Sequence, residues 1–376
     1  MKKSRLLLFA LSPLLLLSCG NGEDPLVPLR FGTLIGTQAD DPIDHTSQIA
    51  WIKKSGLASL VNNEENFLLL LHGSADTCTC YTEWHETILS RYAKQHKALI
   101  YGIRLDELES DPEYYGLERV VGADTLAVFA NGKLKYQHTT AKSDDPFVTD
   151  YGSFSSWMEK RVKDPVIFTV NEEILDGFYE GNEAFCIYFG RDTCNDCTYL
   201  NRHDLRTYID SHDIKEPNFY YLNFDNFKVA PEEYVAQDEA NRDKEYYQAM
   251  KDKYGLSLQE DNPAGIGAGM FPTIFYVNPD GVSYNGDVIE AAGVFYNETI
   301  TDGKVSGSYF TKERYDAASS SYLGYLKESK VEKKYFEGEV IPDAGSPRGD
   351  AKKDLLRPLE APIINALLDY CVGNKI

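Results

Sequence analysis

The chain runs through the same succession of apolar and polar segments twice. In the first copy, residues 67–71 are a continuous apolar run, Phe-Leu-Leu-Leu-Leu, of the length of a buried strand. Tyr81, Trp84, Ile88 and Tyr92 then recur at i, i+3, i+7 and i+11, on one face of a helix. Residues 98–103 and 125–129 read as two more strands, and Asn131-Gly132 as a tight hairpin turn into 134–136. Helices over 52–61 and 154–162 open and close the unit. In the second copy a helix over 171–179 precedes the apolar run 184–189, and Leu200, Leu205, Tyr208 and Ile209 follow at roughly helical spacing. Strands are expected over 219–224 and 273–277, the latter leading into the turn Asn278-Pro279-Asp280-Gly281. A helix over 312–328, with Thr311 as its cap, closes the second unit.

The copies align without a gap at their strand, turn and helix: Gly73 falls on Gly190 and Cys80 on Cys197. Such internal similarity points to duplication. The reading is α/β, with residues 46–163 and 164–336 as two domains, each a central mixed sheet flanked by helices. Residues 228–262 are an insertion in the second, largely a charged helix over 232–254, expected to stand in solvent as a lid or arm. Residues 337–376 are read as a Gly/Pro/Asp-rich loop and a last helix over 359–372, with Pro362 near its start and Cys371 near its end.

Lys2, Lys3 and Arg5 precede an apolar stretch over 6–17, too short for a bilayer span, and no other run in the chain is longer. Leu16-Leu17-Ser18-Cys19 resembles the lipobox of bacterial lipoproteins. The resemblance implies a signal peptide over 1–18, cleavage before Cys19 and a lipid on its sulfur; a plain signal peptide and a membrane anchor are the alternatives. Residues 19–45 would then be the lipidated cysteine and a flexible polar tether.

Charge narrows the partners. The chain holds 38 Lys+Arg and 59 Asp+Glu; losing residues 1–18 removes three basic and no acidic residues and leaves a net charge of −24. Nucleic acid needs a basic face and is excluded. Anionic lipid would not attract such a surface either, so the lipid on Cys19 would hold the protein at the membrane.

Six cysteines follow Cys19. Four of them form two close pairs, Cys78/Cys80 and Cys194/Cys197, which points to reactive or metal-binding pairs rather than staples. A C-x-x-C where a buried strand turns into a helix is a dithiol built for redox work: the helix N-terminus favours a thiolate, lowering a thiol from near 8.5 to about 7 or below. Cys194 is the candidate nucleophile and Cys197, one turn in, the resolving thiol. Asp196 between them would oppose the thiolate and make the pair reducing rather than strongly oxidising. Zinc at this pair would need further ligands, with His203 the only nearby candidate, so no metal is expected. Cys78-x-Cys80 is a secondary redox candidate, a soft-metal pair for copper(I) with His72 or His85 in reach, or a vestige. Cys186 reads as a small buried hydrophobe, Cys371 as free or a minor staple, and His72 and His85 as ordinary histidines.

The second unit resembles the thioredoxin-like superfamily. The resemblance rests on Cys194-Asn195-Asp196-Cys197 and on Phe271-Pro272-Thr273 opening a strand. Residues 188–197 are also similar to the active-site stretch of the bacteriocin transport accessory branch. It implies two thioredoxin-like domains, and a cis Pro272 facing the dithiol, with Phe271, Thr193, Asn195 and Asp196 along the substrate groove. The first unit departs from the pattern. Thr77 stands where the first active cysteine would, and Gly122-Ala123-Asp124-Thr125 where the proline would, so this domain is read as degenerate.

Together these readings describe an extracytoplasmic, lipid-anchored thiol–disulfide oxidoreductase. It would act on thiols and disulfides of exported proteins, without a cofactor, and be served by a membrane or extracytoplasmic electron donor. The rival readings are a non-catalytic accessory or binding lipoprotein and metal handling through Cys78 and Cys80.

Overall fold

The computed structural model describes residues 29–30, 35–37, 49–73, 84–108, 114–118, 120–140, 144–181, 184–212, 214, 219–256, 270–277, 291–306 and 338–373. Cys19, Cys78, Cys80, the turn at 278–281 and the helix expected over 312–328 lie outside them.

The described chain begins with two short strands, β1 (Leu29–Arg30) and β2 (Ile35–Thr37). The first unit then runs β3 (Ile49–Trp51), α1 (Lys54–Asn62), β4 (Phe67–His72), α2 (Ser90–Gln95), β5 (Ile100–Arg104), β6 (Asp124–Ala130) and β7 (Lys133–Thr139). α3 (Pro146–Thr149) and α4 (Tyr151–Glu159) close it, with Asp145 and Asp150 accepting backbone N–H groups as caps. Its five-stranded sheet has the order β3-β5-β4-β6-β7, with β3, β5 and β4 parallel and β6 and β7 antiparallel. Asn131 and Gly132 both take positive φ, the conformation a two-residue hairpin needs.

After β8 (Val162–Lys163), the second unit repeats the plan. It runs β9 (Ile167–Thr169), α5 (Glu172–Glu180), β10 (Phe185–Gly190), α6 (Asn195–Leu200), α7 (Arg206–Ser211), β11 (Phe219–Asn223), α8 (Arg242–Lys253), β12 (Thr273–Val277) and β13 (Ala291–Val294). The sheet order is β13-β12-β10-β11-β9-β2. A hairpin of β14 (Thr299–Thr301) and β15 (Lys304–Ser306) and a long helix, α9 (Gly349–Gly373), complete the chain. Each unit has its own core. The central strands β4 and β10 are buried on both faces, which is why their sequences read as unbroken apolar runs rather than alternation.

The duplication extends to fine structure. A π-helical turn, His85–Leu89, leads into α2, and another, Asn201–Leu205, joins α6 to α7. With Gly73 aligned on Gly190 the two turns fall within one residue of each other, so the irregularity belongs to the repeated fold. Both glycines are close approaches: a Cβ at 73 would stand 2.3 Å from the Ala123 carbonyl oxygen, and one at 190 within 2.9 Å of the Tyr188 and Tyr221 rings. The units meet at Arg206, whose guanidinium donates to Asn131 Oδ1 at 2.5 Å and to the Glu64 carbonyl at 2.7 Å.

Four expectations are corrected. Residues 19–45 are not all tether: β1 pairs with β8, and β2 adds a parallel edge strand beside β9, because an open sheet edge offers unpaired backbone groups. The insertion is helical over Arg242–Lys253 rather than 232–254, and it is no free arm. Tyr246 and Tyr254 are buried in the second core, and Lys253 Nζ pairs with Glu172 and Asp176 of α5 at 2.7 and 2.6 Å. The last helix starts ten residues before the predicted 359 and keeps both Pro358 and Pro362 inside it. Each proline costs a helix roughly 3 kcal/mol. Burial of Leu356, Ile363, Ile364, Leu367 and Leu368, at about 1.5–3 kcal/mol each, outweighs that. Finally, Cys186 is not a lone buried hydrophobe, and of the two readings of Cys371 the staple is the one observed. The two cysteines form a disulfide that ties α9 to β10, with the Cα atoms 6.2 Å apart.

Candidate redox site

β10 ends at Gly190, at the C-terminal end of the sheet's parallel strands, and the turn 191–193 leads into α6. Polar contacts pin that turn. Arg191 Nε donates to Asp225 Oδ1 at 2.8 Å, the Thr193 N–H donates to Asp225 Oδ2 at 3.0 Å, and Lys228 Nζ lies 2.7 Å from Asp225 Oδ1. On the other side the Tyr221 hydroxyl and the Asn223 amide donate to Asp192 at 3.0 and 2.6 Å. Burial works against the Asp225 charge, but hydrogen bonds from Lys228, Arg191 and Thr193 hold its carboxyl well below the usual range.

Cys194 is the N-cap of α6. Its sulfur accepts the Cys197 backbone N–H at 3.3 Å, and its thiol donates toward the Phe271 carbonyl oxygen at 3.6 Å. The side chain is partly exposed, whereas Cys197 is buried, and neither is in a disulfide. The two sulfurs are driven apart in acidity. Hydrogen bonding from the Cys197 thiol, against the opposing effect of burial, and with help from the Cys197 backbone N–H, lowers Cys194 to about 7. Burial and the neighbouring Cys194 push Cys197 well above its ordinary value. One partly exposed, acidified thiol backed by one buried thiol of raised pKa is the division of labour that thiol–disulfide exchange requires.

Across the site, the Phe271–Pro272 peptide bond is cis, at the start of β12. β12 pairs antiparallel with β10, Phe189 facing Thr273, which brings this bond to the same end of the sheet as Cys194. The fold is thioredoxin-like. A parallel β-α-β half, an antiparallel hairpin half, a C-x-x-C capping a helix and a cis-proline opposite it occur together in the second unit; the first unit repeats the sheet, and its sequence has Thr77 in place of Cys194 and no proline directly before β6.

No family model matches the chain, and no curated protein sequence matches it. Solved structures similar to it include human ERp44, 12% identical with a TM-score of 0.25, over 48% of this chain and 44% of ERp44. ERdj5 is also similar, 12% identical with a TM-score of 0.25, over 66% of this chain and 27% of ERdj5. A third is the first two thioredoxin domains of Naumovozyma dairenensis Eps1p, 11% identical with a TM-score of 0.19, over 61% of this chain and 85% of that one. The match thus spans less than half of that ERp44 chain and of that ERdj5 chain.

Of the residues expected at the site, Cys194 and Cys197 are hydrogen-bonded to each other and the Phe271–Pro272 bond lies against Cys194, whereas Thr193 bonds Asp225. Phe271 takes a different part. Its ring is buried, packed 5.0 Å from the Phe224 ring and lying 5.9 Å from Lys251 Nζ of α8, so it offers its carbonyl, not its side chain, to Cys194. Asp196 opposes the Cys194 thiolate, as its place between the cysteines led one to expect. Its effect ranks below the Cys197 hydrogen bonds, and Lys353 of α9 sits 3.3 Å from its Oδ1. Asp225 and Lys353 also belong to this site. They stand 31 and 159 positions from Cys194, and no local pattern marks them.

Proposed function

We propose that the second unit is a thiol–disulfide oxidoreductase of the protein-reducing or isomerising kind. The observation that carries this reading is the Cys194 sulfur, partly exposed, hydrogen-bonded by the Cys197 N–H and facing the carbonyl that precedes Pro272. The Cys194 thiolate attacks one sulfur of a substrate disulfide; the S–S bond breaks and the departing thiolate takes a proton. Cys197 then loses its proton and attacks Cys194, forming the Cys194–Cys197 disulfide and freeing the second substrate thiol. Two electrons pass to the substrate, and a dithiol donor returns them to the enzyme. Pro272 offers no N–H to compete for the thiolate and shapes the wall beside it.

The lipobox-like start supports a place on the outer face of a membrane, held by lipid on Cys19. Exported proteins with cysteines are then the substrates, and a membrane or extracytoplasmic dithiol is the electron donor. The likeness of residues 188–197 to the bacteriocin transport accessory branch adds an export-linked role to this reading.

The test is reduction of a model protein disulfide by the purified chain in the presence of a small dithiol. The wild type accelerates it, and Cys194→Ser falls to the rate of the dithiol alone. Equal rates for the two proteins contradict the reading.

A further inference from the structure

The end of the first sheet that corresponds to the redox site carries a different set of side chains. β4 and β6 are antiparallel, with His72 directly opposite Asp124. His72 Nδ1 lies 2.9 Å from Asp124 Oδ1, and His85 Nε2 lies 2.7 Å from Asp124 Oδ2. The imidazole ring centres are 5.5 Å apart. Asp124 is fully buried, while the His72 and His85 side chains are 11% and 16% exposed. The carboxylate therefore lies beneath two imidazoles that reach the surface.

The repeated fold does not require this trio. In the second sheet the pair corresponding to His72 and Asp124 is Phe189 and Thr273, and Arg202 stands at the position of His85. An aromatic ring and a threonine close the same strand pair there. A carboxylate buried at this point carries a desolvation cost that the scaffold itself does not demand.

We propose that His72, His85 and Asp124 form a three-ligand site for a divalent transition-metal ion of the zinc type. Their ligand atoms all lie within 4.8 Å of one another. Ligands around a tetrahedral zinc-like ion stand about 3.3 Å apart, so small ring rotations admit the ion. Two imidazoles and one carboxylate suit zinc, cobalt or nickel better than magnesium or calcium, which prefer all-oxygen sites. With neutral imidazoles no proton need leave. Each ring moves its proton to the far nitrogen and turns a lone pair on His72 Nδ1 and His85 Nε2 toward the ion. The carboxylate is held in place for this: the Gly73 N–H donates to Asp124 Oδ1 at 3.0 Å, and the Thr140 hydroxyl bonds both the N–H and the carbonyl of Asp124. Three protein ligands leave a fourth position for water or another donor.

The test is calorimetric titration of the full chain with Zn²⁺, in a background of Cys78→Ser, Cys80→Ser, Cys194→Ser and Cys197→Ser so that these four thiols contribute nothing. One equivalent binds in that background. His72→Gln and His85→Gln each weaken binding by about tenfold or more, and the rise in unfolding temperature that Zn²⁺ gives the parent disappears in both. His212→Gln, an exposed histidine elsewhere, leaves binding unchanged. Circular dichroism verifies that each variant is folded; His85 lies on a helix surface, so His85→Gln decides the matter if His72→Gln does not fold. Absence of binding, or binding unaffected by His85→Gln, overturns the proposal.

Discussion

Lys353 Nζ lies 3.3 Å from Asp196 Oδ1, so a lysine from the last helix faces the carboxylate between Cys194 and Cys197. The Lys353 side chain is 3% exposed and also reaches Asp350 at 3.1 Å. The Asp196 charge disfavours the Cys194 thiolate, and a lysine beside that carboxylate acts in the opposite sense. Asp196→Asn should move the Cys194 midpoint downward and Lys353→Met should move it upward, toward a free thiol. Lys353→Met should also cost about 1–3 kcal/mol of stability, because it strands a partly buried carboxylate. The pH dependence of Cys194 alkylation and a urea melt measure both; an unmoved midpoint in the two variants would mean that the pair does not tune the thiol.

The two cysteines should titrate far apart. Cys194 alkylation should rise with a midpoint near pH 7, where its thiol is lowered to about 7, and Cys197 should stay unreactive while folded. The readout is the rate of carbamidomethylation at each site followed by peptide mass. A Cys194 midpoint near the ordinary thiol value of about 8.5 would remove the acidification on which the redox reading leans.

The disulfide between Cys186 and Cys371 closes a loop of 185 residues and is buried under α9. Cys371→Ser should lower the unfolding free energy by about 2–5 kcal/mol and leave Cys194 alkylation intact. A non-reducing peptide map should join these two cysteines even when Cys194 has been alkylated. Finding Cys186 or Cys371 as a free thiol in the folded protein would contradict the pairing.

Acid should undo the turn that presents Cys194. The Asp225 carboxyl is depressed below its unfolded value, so the stability it contributes is complete above about pH 4 and is lost as pH falls from there. Asp124, depressed by His72 and His85 against the effect of burial, adds to the same acid limb. Asp225→Asn should be less stable than wild type at pH 7 and should show a flatter loss between pH 4 and lower values. Parallel stability–pH curves for the two proteins would contradict this assignment.

What the sequence made legible follows from range. The apolar runs at 67–71 and 184–189, the hairpin at Asn131-Gly132, the C-x-x-C and Phe271-Pro272 are local patterns, and each stands where its pattern placed it. The pairing of Cys186 with Cys371, the reach of Lys353 to Asp196 and the convergence of His72, His85 and Asp124 depend on strand register and helix docking, which no spacing along the chain encodes. α9 is the clearest case: Pro358 and Pro362 argue locally for a break, and burial along its length overrides them. The edge strand β2 is hidden for the opposite reason, since the three residues Ile35-Gly36-Thr37 carry too little pattern to stand out.

The central claim is that Cys194 attacks protein disulfides and Cys197 resolves the adduct. Trapping tests it most directly: express the full chain with Cys197→Ala, alkylate to quench exchange, and resolve mixed disulfides from the membrane fraction on a non-reducing gel. The account predicts reducible adducts that vanish when Cys194→Ser is added. An absence of adducts, or adducts that persist without Cys194, would contradict it.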